Sequence, residues 1–145
     1  MKSKAPLMLM EQMIMLLVFA LAAALCLQAF VKSEQLSSYS ENRDRAVTIA
    51  QTAAETIRHS GGDMGHALTE AAEILGGEYR QGLLWLDYGE DWQPVQSDGA
   101  FRLAAQGVPS DVEGLWKALV QVTDEPGEEI LFEIEVCWQE VDGNG

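Results

Sequence analysis

The hydrophobic pattern divides the chain into two unlike parts. Residues 13–31 form an apolar run in which Gln28 is the only strongly polar side chain. Roughly 20 apolar residues are enough to cross a bilayer as a helix. The four residues before Glu11 are apolar too, so the hydrophobic stretch extends backwards past a carboxylate. The pattern predicts a short leader over residues 1–6 and a transmembrane helix over residues 7–31.

Helix-compatible composition continues after this span, with neither glycine nor proline before Gly61 in residues 32–60. Apolar residues recur there at i, i+3, i+4, i+7 and i+11, which is one face of an α-helix. They are Ala46, Ile49, Ala50, Ala53 and Ile57. We expect residues 32–60 to continue the N-terminal helix and Gly61 to end it. A juxtamembrane coiled coil is the alternative, although the stripe is short and rich in alanine.

Residues 61–145 are predicted to form a head with both helix and sheet. Asp63 is a suitable N-cap for a short helix through Leu75, and a pair of glycines then ends that helix. Short runs bounded by turn residues predict strands after it. These runs are residues 81–88, 92–96, 100–106, 118–123 and 130–139. The fold class we predict is α+β, a long N-terminal helix packed on an antiparallel sheet of about four strands.

Local patterns within the head make three finer predictions. Alternation in the last strand places five apolar side chains on one face, namely Ile130, Phe132, Ile134, Val136 and Trp138. Residues 124–127 have Pro then Gly in the order typical of a type II turn. Residues 110–113 have the form of a capping box, which predicts a single helical turn before the next strand.

The charges follow the same division. The 145 residues include 9 basic and 23 acidic side chains, a formal net charge of −14. Residues 1–31 have a net charge of +1, and residues 32–145 carry the remaining −15. Such an acidic chain is not expected to bind nucleic acid, because phosphate neutralisation needs clustered Lys and Arg. Lys2 and Lys4 precede the span, so the positive-inside rule predicts a cytoplasmic N-terminus and an extracytoplasmic head.

Two interpretations of the N-terminal segment remain open. A cleaved secretory signal would use Lys2 and Lys4 as its basic region and be cut among the alanines of residues 20–24. A retained single-pass anchor explains the length of the apolar stretch best. Glu11 bears on the choice, since a carboxylate inside an apolar helix costs a few kcal/mol and usually has a partner. We therefore interpret residues 7–31 as one anchoring helix with a functional charge near its start.

The stretch Leu7-Met-Leu-Met-Glu11 followed by a long apolar helix resembles the N-terminus of type IV pilins and type II secretion pseudopilins. Residues 22–30 are also similar to the end of that family's apolar segment. In the family, a glutamate at the fifth mature position pairs with the N-terminal amine of a neighbouring subunit. The resemblance implies that Glu11 directs assembly, that the chain is processed between Pro6 and Leu7, and that Leu7 is the first mature residue.

The chain departs from the family at two positions. Pro6 stands where the processing peptidase requires glycine, and Gln28 stands where a helix-kinking proline is common. Proline fixes φ and removes the backbone N–H. If Pro6 prevents processing, Lys2 or Lys4 of a neighbouring chain would supply the positive charge in place of a free amine.

We predict no catalytic residue and no cofactor, because the sequence has no GxSxG elbow, CxxC pair or phosphate-binding loop. Asp87, Glu90 and Asp91 are the one weak candidate for a metal, since some pseudopilins carry calcium in this region. Their spacing matches no EF-hand, and a solvated acidic turn is the favoured interpretation.

The function we expect is therefore that of a non-enzymatic structural subunit in the membrane. It would assemble with other pilin-like subunits and a membrane assembly platform into a type IV pilus, type II secretion or DNA-uptake filament. The alternative is a membrane-anchored extracytoplasmic binding or sensing module unrelated to filaments.

Overall fold

The computed structural model describes residues 4–140. The first three residues of the predicted leader and the last five residues of the chain lie outside the described residues. The helices are α1 (Ala5–Ser60) and α2 (Met64–Leu75). The strands are β1 (Glu78–Arg80), β2 (Leu83–Tyr88), β3 (Pro94–Val95), β4 (Phe101–Val108), β5 (Leu115–Asp124) and β6 (Glu129–Gln139).

Helix α1 contains both of the predicted helical segments, and it runs through two compact units of the chain. The first unit ends at Glu41 and the second begins at Asn42. In the first unit every described residue, from Lys4 onwards, is exposed. In the second unit α1 contributes to a hydrophobic core, which is described next.

The core of the second unit lies between the helices and one face of the sheet. The alanine-rich stripe of α1 faces this core, as the sequence predicted: Ala46, Ala50, Ala53 and Ile57 are completely buried. Ala54 joins them at 5% exposure, whereas Ile49 packs at the margin and is only partly buried.

Helix α2 begins and ends where its capping residues predict. The Asp63 carboxylate accepts a hydrogen bond from the backbone N–H of His66 at 2.8 Å, which satisfies one of the free N–H groups of the first turn. Gly76 adopts the left-handed conformation at φ 76°, and its N–H donates to the carbonyl of Ala72. The buried side of α2 includes Ala67, Leu68 and Ala71.

The sheet is antiparallel, in the order β1-β2-β4-β5-β6, with the two-residue strand β3 paired to β2. The predicted α+β class, with a long N-terminal helix on an antiparallel sheet, is confirmed. The sheet has six strands among the described residues, compared with the predicted four or so. Strand β1 was not predicted, because its three residues are too short to give a period-two signal, whereas β3 is a two-residue part of the predicted run 92–96.

The predicted face of β6 is wrong at its beginning. Val122 pairs with Phe132 but Thr123 pairs with Ile130, so Leu131 is an extra residue on β6 at a β-bulge. A bulge shifts the alternation by one position. Consequently Leu131 is 4% exposed while Ile130 is 52% exposed. The alternation resumes towards the other end of the strand, where Val136 and Trp138 are buried.

Of the two predicted turns, one is confirmed and one is wrong. Glu128 donates its backbone N–H to the carbonyl of Glu125 at 3.0 Å, and Gly127 has φ 99°, as a type II turn requires. The residues after Ser110 form turns in place of the predicted helical turn. The Ser110 hydroxyl accepts from the N–H of Val112, two residues on, which is a serine turn and not a helix cap.

Candidate functional site

The candidate assembly residues lie in the first two turns of α1. The carbonyl of Lys4 accepts the first helical hydrogen bond, from the N–H of Met8 at 3.2 Å. Pro6 fits this first turn because its missing N–H would have no acceptor inside the helix. Leu7 is 77% exposed and Glu11 follows it one turn later, also exposed. The structure thus brings Pro6, Leu7 and Glu11 together at one end of the helix.

The surface around these residues is apolar on every side of the helix. The large exposed hydrophobic side chains are Leu7, Met8, Leu9, Met10, Met13, Ile14, Met15, Leu16, Leu17, Val18, Phe19, Leu21, Leu25, Leu27, Phe30 and Val31. A soluble helix normally has one apolar stripe and one polar face. Within residues 4–140, α1 is the one helix whose length and composition suit a membrane span, and its most apolar part has no burial against the rest of the chain.

Glu11 is the single acidic side chain within this apolar surface. None of the ion pairs or side-chain hydrogen bonds found among residues 4–140 includes it. Lys4 lies seven residues earlier, just before α1, and none of the ion pairs joins it to Glu11. In a membrane-spanning helix, an ionised carboxylate usually has a partner.

The three acidic candidates for a metal site have separate roles in the structure. Asp87 lies on β2 and is 6% exposed, and its carboxylate accepts hydrogen bonds from Nε of Arg102 at 2.6 Å and from Nη2 at 2.9 Å. This bond raises the pKa of the Arg102 guanidinium above its usual value, because it favours the charged form. Asp87 therefore already has a strong partner.

Asp91 and Glu90 belong to the turn between β2 and β3. The Asp91 carboxylate accepts a hydrogen bond from the N–H of Gln93 at 3.1 Å, and Glu90 is exposed. Across residues 4–140, no three His, Cys, Asp or Glu side chains are grouped so that they could hold a metal ion. Among the described residues, no further side chain therefore adds a metal ligand to Glu90 and Asp91 in this turn.

The same turn carries a contact that sequence reasoning missed. Trp92 has φ 59° and stacks on Phe101 with ring centroids 3.9 Å apart. Its indole N–H donates to the side-chain oxygen of Asn42 on α1 at 3.2 Å. The sequence separation between Trp92 and Asn42 is 50 residues, so no local pattern could have paired them. This contact fixes the β2–β3 turn against the first turn of α1 in the second unit.

A groove of about 520 Å³ lies between α1 and α2 in the second unit. Its lining is mostly polar: Thr52, Glu55, Thr56, Arg58, His59, Ser60, Glu70 and Ile74. Nearby, His66 lies 3.2 Å from Glu70 on the surface of α2. Small-molecule sites are usually lined by apolar residues with a few convergent polar groups. This groove has the opposite composition.

Comparison of the chain with family models, with curated proteins and with solved structures found no match. The fold and the site therefore stand on the chain's own geometry. Over residues 4–140 they define one candidate membrane-spanning helix near the N-terminus and an α+β head, an arrangement compatible with a pilin-like fold.

Proposed function

We propose that this protein is a single-pass membrane subunit of pilin-like or pseudopilin-like type, which assembles through the N-terminal part of α1. Its head would lie outside the cytoplasm, and its role would be structural and not catalytic. The observation that carries the proposal is the apolar surface of residues 7–31, exposed throughout and interrupted by the single acid Glu11.

The physical argument begins with the apolar surface. Soluble monomers rarely expose contiguous apolar surface of this extent, and such surfaces mark contact with a membrane or with other proteins. A bilayer alone would satisfy the apolar side chains of residues 7–31. It would not satisfy Glu11, whose charge remains costly in lipid unless a cation or hydrogen-bond donor lies beside it.

The second half of α1 supports the same proposal. Ala46, Ala50, Ala53 and Ile57 bury one face of the helix in the core of the second unit. One continuous α-helix thus contributes both the exposed apolar segment and a structural element of the folded head. A half-buried second part of the N-terminal helix is also what the resemblance to pilins implies.

The test replaces Glu11 by Leu in the full-length chain and measures assembly and insertion separately. We expect Glu11→Leu to abolish crosslinking to neighbouring subunits in the membrane while leaving resistance to alkaline extraction unchanged. Gln12→Leu is the matched control, because it removes a neighbouring polar side chain that lies about 100° around the helix. It should preserve crosslinking.

Two results would contradict the proposal. Crosslinking that survives Glu11→Leu would show that the carboxylate has no role in assembly. A protein that is monomeric in the membrane and whose head is stabilised by a ligand would instead favour the anchored binding or sensing module.

A further inference from the structure

Strand β6 forms one edge of the sheet. It is paired with β5 along one side, and among residues 4–140 no strand is paired with its other side. It has 11 residues, whereas β1 and β3, which pair with β2 at the opposite end of the sheet, have three and two. Along an edge strand, alternate residues direct their N–H and C=O groups away from the neighbouring strand. Strand β6 therefore presents a long row of backbone groups to which another extended chain can bind.

A groove of about 410 Å³ lies between this edge and α1. Part of its lining is apolar and belongs to the core: Ala54 on α1, with Ile134 and Val136 on β6. Helix α1 also contributes one acid and one base, Glu55 and Arg58, whose charges offset each other. Successive side chains of a strand point to opposite faces of its sheet. A strand added beside β6 would therefore direct every second side chain towards this groove.

The other face of β6 is acidic. Glu133 and Glu135 are exposed there, two residues apart, and β6 has no basic side chain. Lys117 on β5 pairs with Glu135 at 3.0 Å, but the contact of Glu133 is a hydrogen bond from the uncharged amide of Gln121. Glu133 takes part in none of the ion pairs found among residues 4–140. Opposite charges on adjacent strands stabilise their pairing. An added strand with basic side chains at every second position would supply them.

We propose that the outer edge of β6 binds an extended basic segment of another protein, which joins the sheet as a further strand. The segment has two Lys or Arg residues with one apolar residue between them. Its cations meet Glu133 and Glu135, and its apolar side chain enters the groove beside Ile134 and Val136. In such a complex the main-chain hydrogen bonds give affinity and the alternate side chains give specificity. This surface belongs to the second unit and does not include Glu11, so the peptide tests below and the Glu11→Leu test can fail independently.

The charges favour a different protein over a second copy of this chain. Two β6 strands side by side would bring the acids at 133 and 135 of both copies together, and like charges on adjacent strands are destabilising. The sequence has basic residues two positions apart only in 2–4 and 43–45, where the residue between them is Ser or Asp and not apolar. The net charge of −14 also attracts a cationic partner and repels another copy.

Peptide binding to the full-length protein in neutral detergent micelles tests the pattern. The probe is Thr-Val-Lys-Val-Lys-Val-Thr, blocked at both ends and labelled for fluorescence anisotropy. Its isomer Thr-Val-Val-Lys-Lys-Val-Thr has the same composition and charge without the alternation, and we expect it to bind about fivefold more weakly. Two further probes are N-methylated either at both Lys or at the first two Val residues. One of them should bind about tenfold more weakly and the other should not, because only alternate N–H groups face β6.

Charge variants separate the β6 edge from general attraction to an acidic protein. Glu133→Gln with Glu135→Gln should weaken binding of the alternating probe about fivefold. Glu73→Gln with Glu90→Gln is the matched control, because it removes the same charge from exposed acids on α2 and in the β2–β3 turn. It should leave the affinity unchanged. Equal weakening by both pairs, or equal affinity for the alternating probe and its isomer, would show attraction by net charge alone and would overturn the proposal.

Cys137 reports where the probe binds, because it is exposed on β6 and lines the groove. In a Cys26→Ser background, probe at about ten times its Kd should slow alkylation of Cys137 about tenfold. Ser97→Cys, in a chain that lacks both native cysteines, is the control and should be alkylated at the same rate with and without probe. An unprotected Cys137 would overturn the proposal. A disulfide that forms readily between Cys137 of two copies without probe would also overturn it, since a second copy would then cover the edge.

Discussion

Asp87 and Arg102 lie directly opposite each other on β2 and β4 and form a two-point ion pair, with N–O distances of 2.6 and 2.9 Å. Their environments differ. Asp87 is 6% exposed, whereas the Arg102 side chain is 38% exposed. Because the carboxylate is the more buried partner, it depends more on the pair than the guanidinium does.

This asymmetry predicts unequal effects of removing either partner. Arg102→Ala leaves a buried carboxylate without its donor and should lower the free energy of unfolding by about 2 kcal/mol. Asp87→Ala leaves a cation that water can reach, and the loss should be about 1 kcal/mol. Urea unfolding of the full-length protein, followed by tryptophan fluorescence, measures both. Arg80→Ala, which removes an exposed pair with Glu78, is the control and should change little. Equal effects at Arg102 and Asp87 would contradict the argument.

The space available for a Cβ differs between Gly99 and Gly65, and this difference predicts opposite effects on stability when each is replaced by alanine. A Cβ at Gly99 would lie 2.8 Å from both the Cβ of Asp87 and the carbonyl oxygen of Tyr88. Gly99→Ala should therefore destabilise the protein by about 1–3 kcal/mol. Gly65 lies in α2, where a Cβ would meet nothing closer than 3.5 Å. Gly65→Ala should raise stability by a few tenths to about 1 kcal/mol. The two melting temperatures should move in opposite directions from that of the parent.

The β-bulge in β6 predicts the reverse of what strict alternation would predict. Leu131→Ala removes a side chain that is 4% exposed and should cost about 2–4 kcal/mol. Ile130→Ala removes one that is 52% exposed and should cost well under 1 kcal/mol. Leucine and isoleucine side chains have the same number of atoms, and the two residues are adjacent in the chain. The two variants therefore differ mainly in the position of the residue relative to the bulge. If chemical denaturation shows Ile130→Ala to be the more damaging change, the register of β5 and β6 described above is wrong.

Burial of Tyr88 predicts a specific loss of stability at alkaline pH. Burial raises the pKa of the Tyr88 phenol above its usual value of 10.0, because the ionised form would lose its hydration. The stabilising contribution is fully present below pH 10.0, and it is lost as the pH rises through the higher pKa of the folded state. Tyr88→Phe should therefore weaken the fall of stability above pH 10.0.

Two measurements check this prediction. Urea midpoints between about pH 8 and 12 should decline less steeply in Tyr88→Phe than in the parent. Absorbance titration of the three tyrosines should show that the substitution removes the group that ionises at raised pH. The pKa of Lys117 is also raised, by its hydrogen bond to Glu135, and this contribution should be unchanged in the variant. Identical alkaline profiles would exclude Tyr88 as a source of the pH dependence.

Much of the fold could be predicted because its signals are local. The apolar face of α1 at Ala46, Ala50 and Ala53 is a helical period, and the caps Asp63 and Gly76 act within three or four residues of their own positions. The type II turn around Gly127 is likewise determined by adjacent residues. Each of these features depends on backbone preferences and hydrogen bonds that a short segment satisfies by itself.

The candidate site was predictable for the same reason. Leu7 and Glu11 lie one helical turn apart, so their proximity required only that the segment be helical. The acidic candidates were different, because the partner of Asp87 comes from another strand. Opposite charges in neighbouring strands were a signal for Arg102, but they could be used only once the register of β2 and β4 was known.

By itself, therefore, the sequence determined where the chain is apolar enough to span a membrane, where Glu11 interrupts that surface, and which class of fold follows. Only the tertiary structure decided that Leu131 and not Ile130 enters the core, and that Trp92 reaches Asn42. The physical reason is the range of the interactions. A helical period or a cap is set by residues a few positions apart, whereas a bulge, a cross-strand ion pair or an indole hydrogen bond exists only after distant segments have packed together.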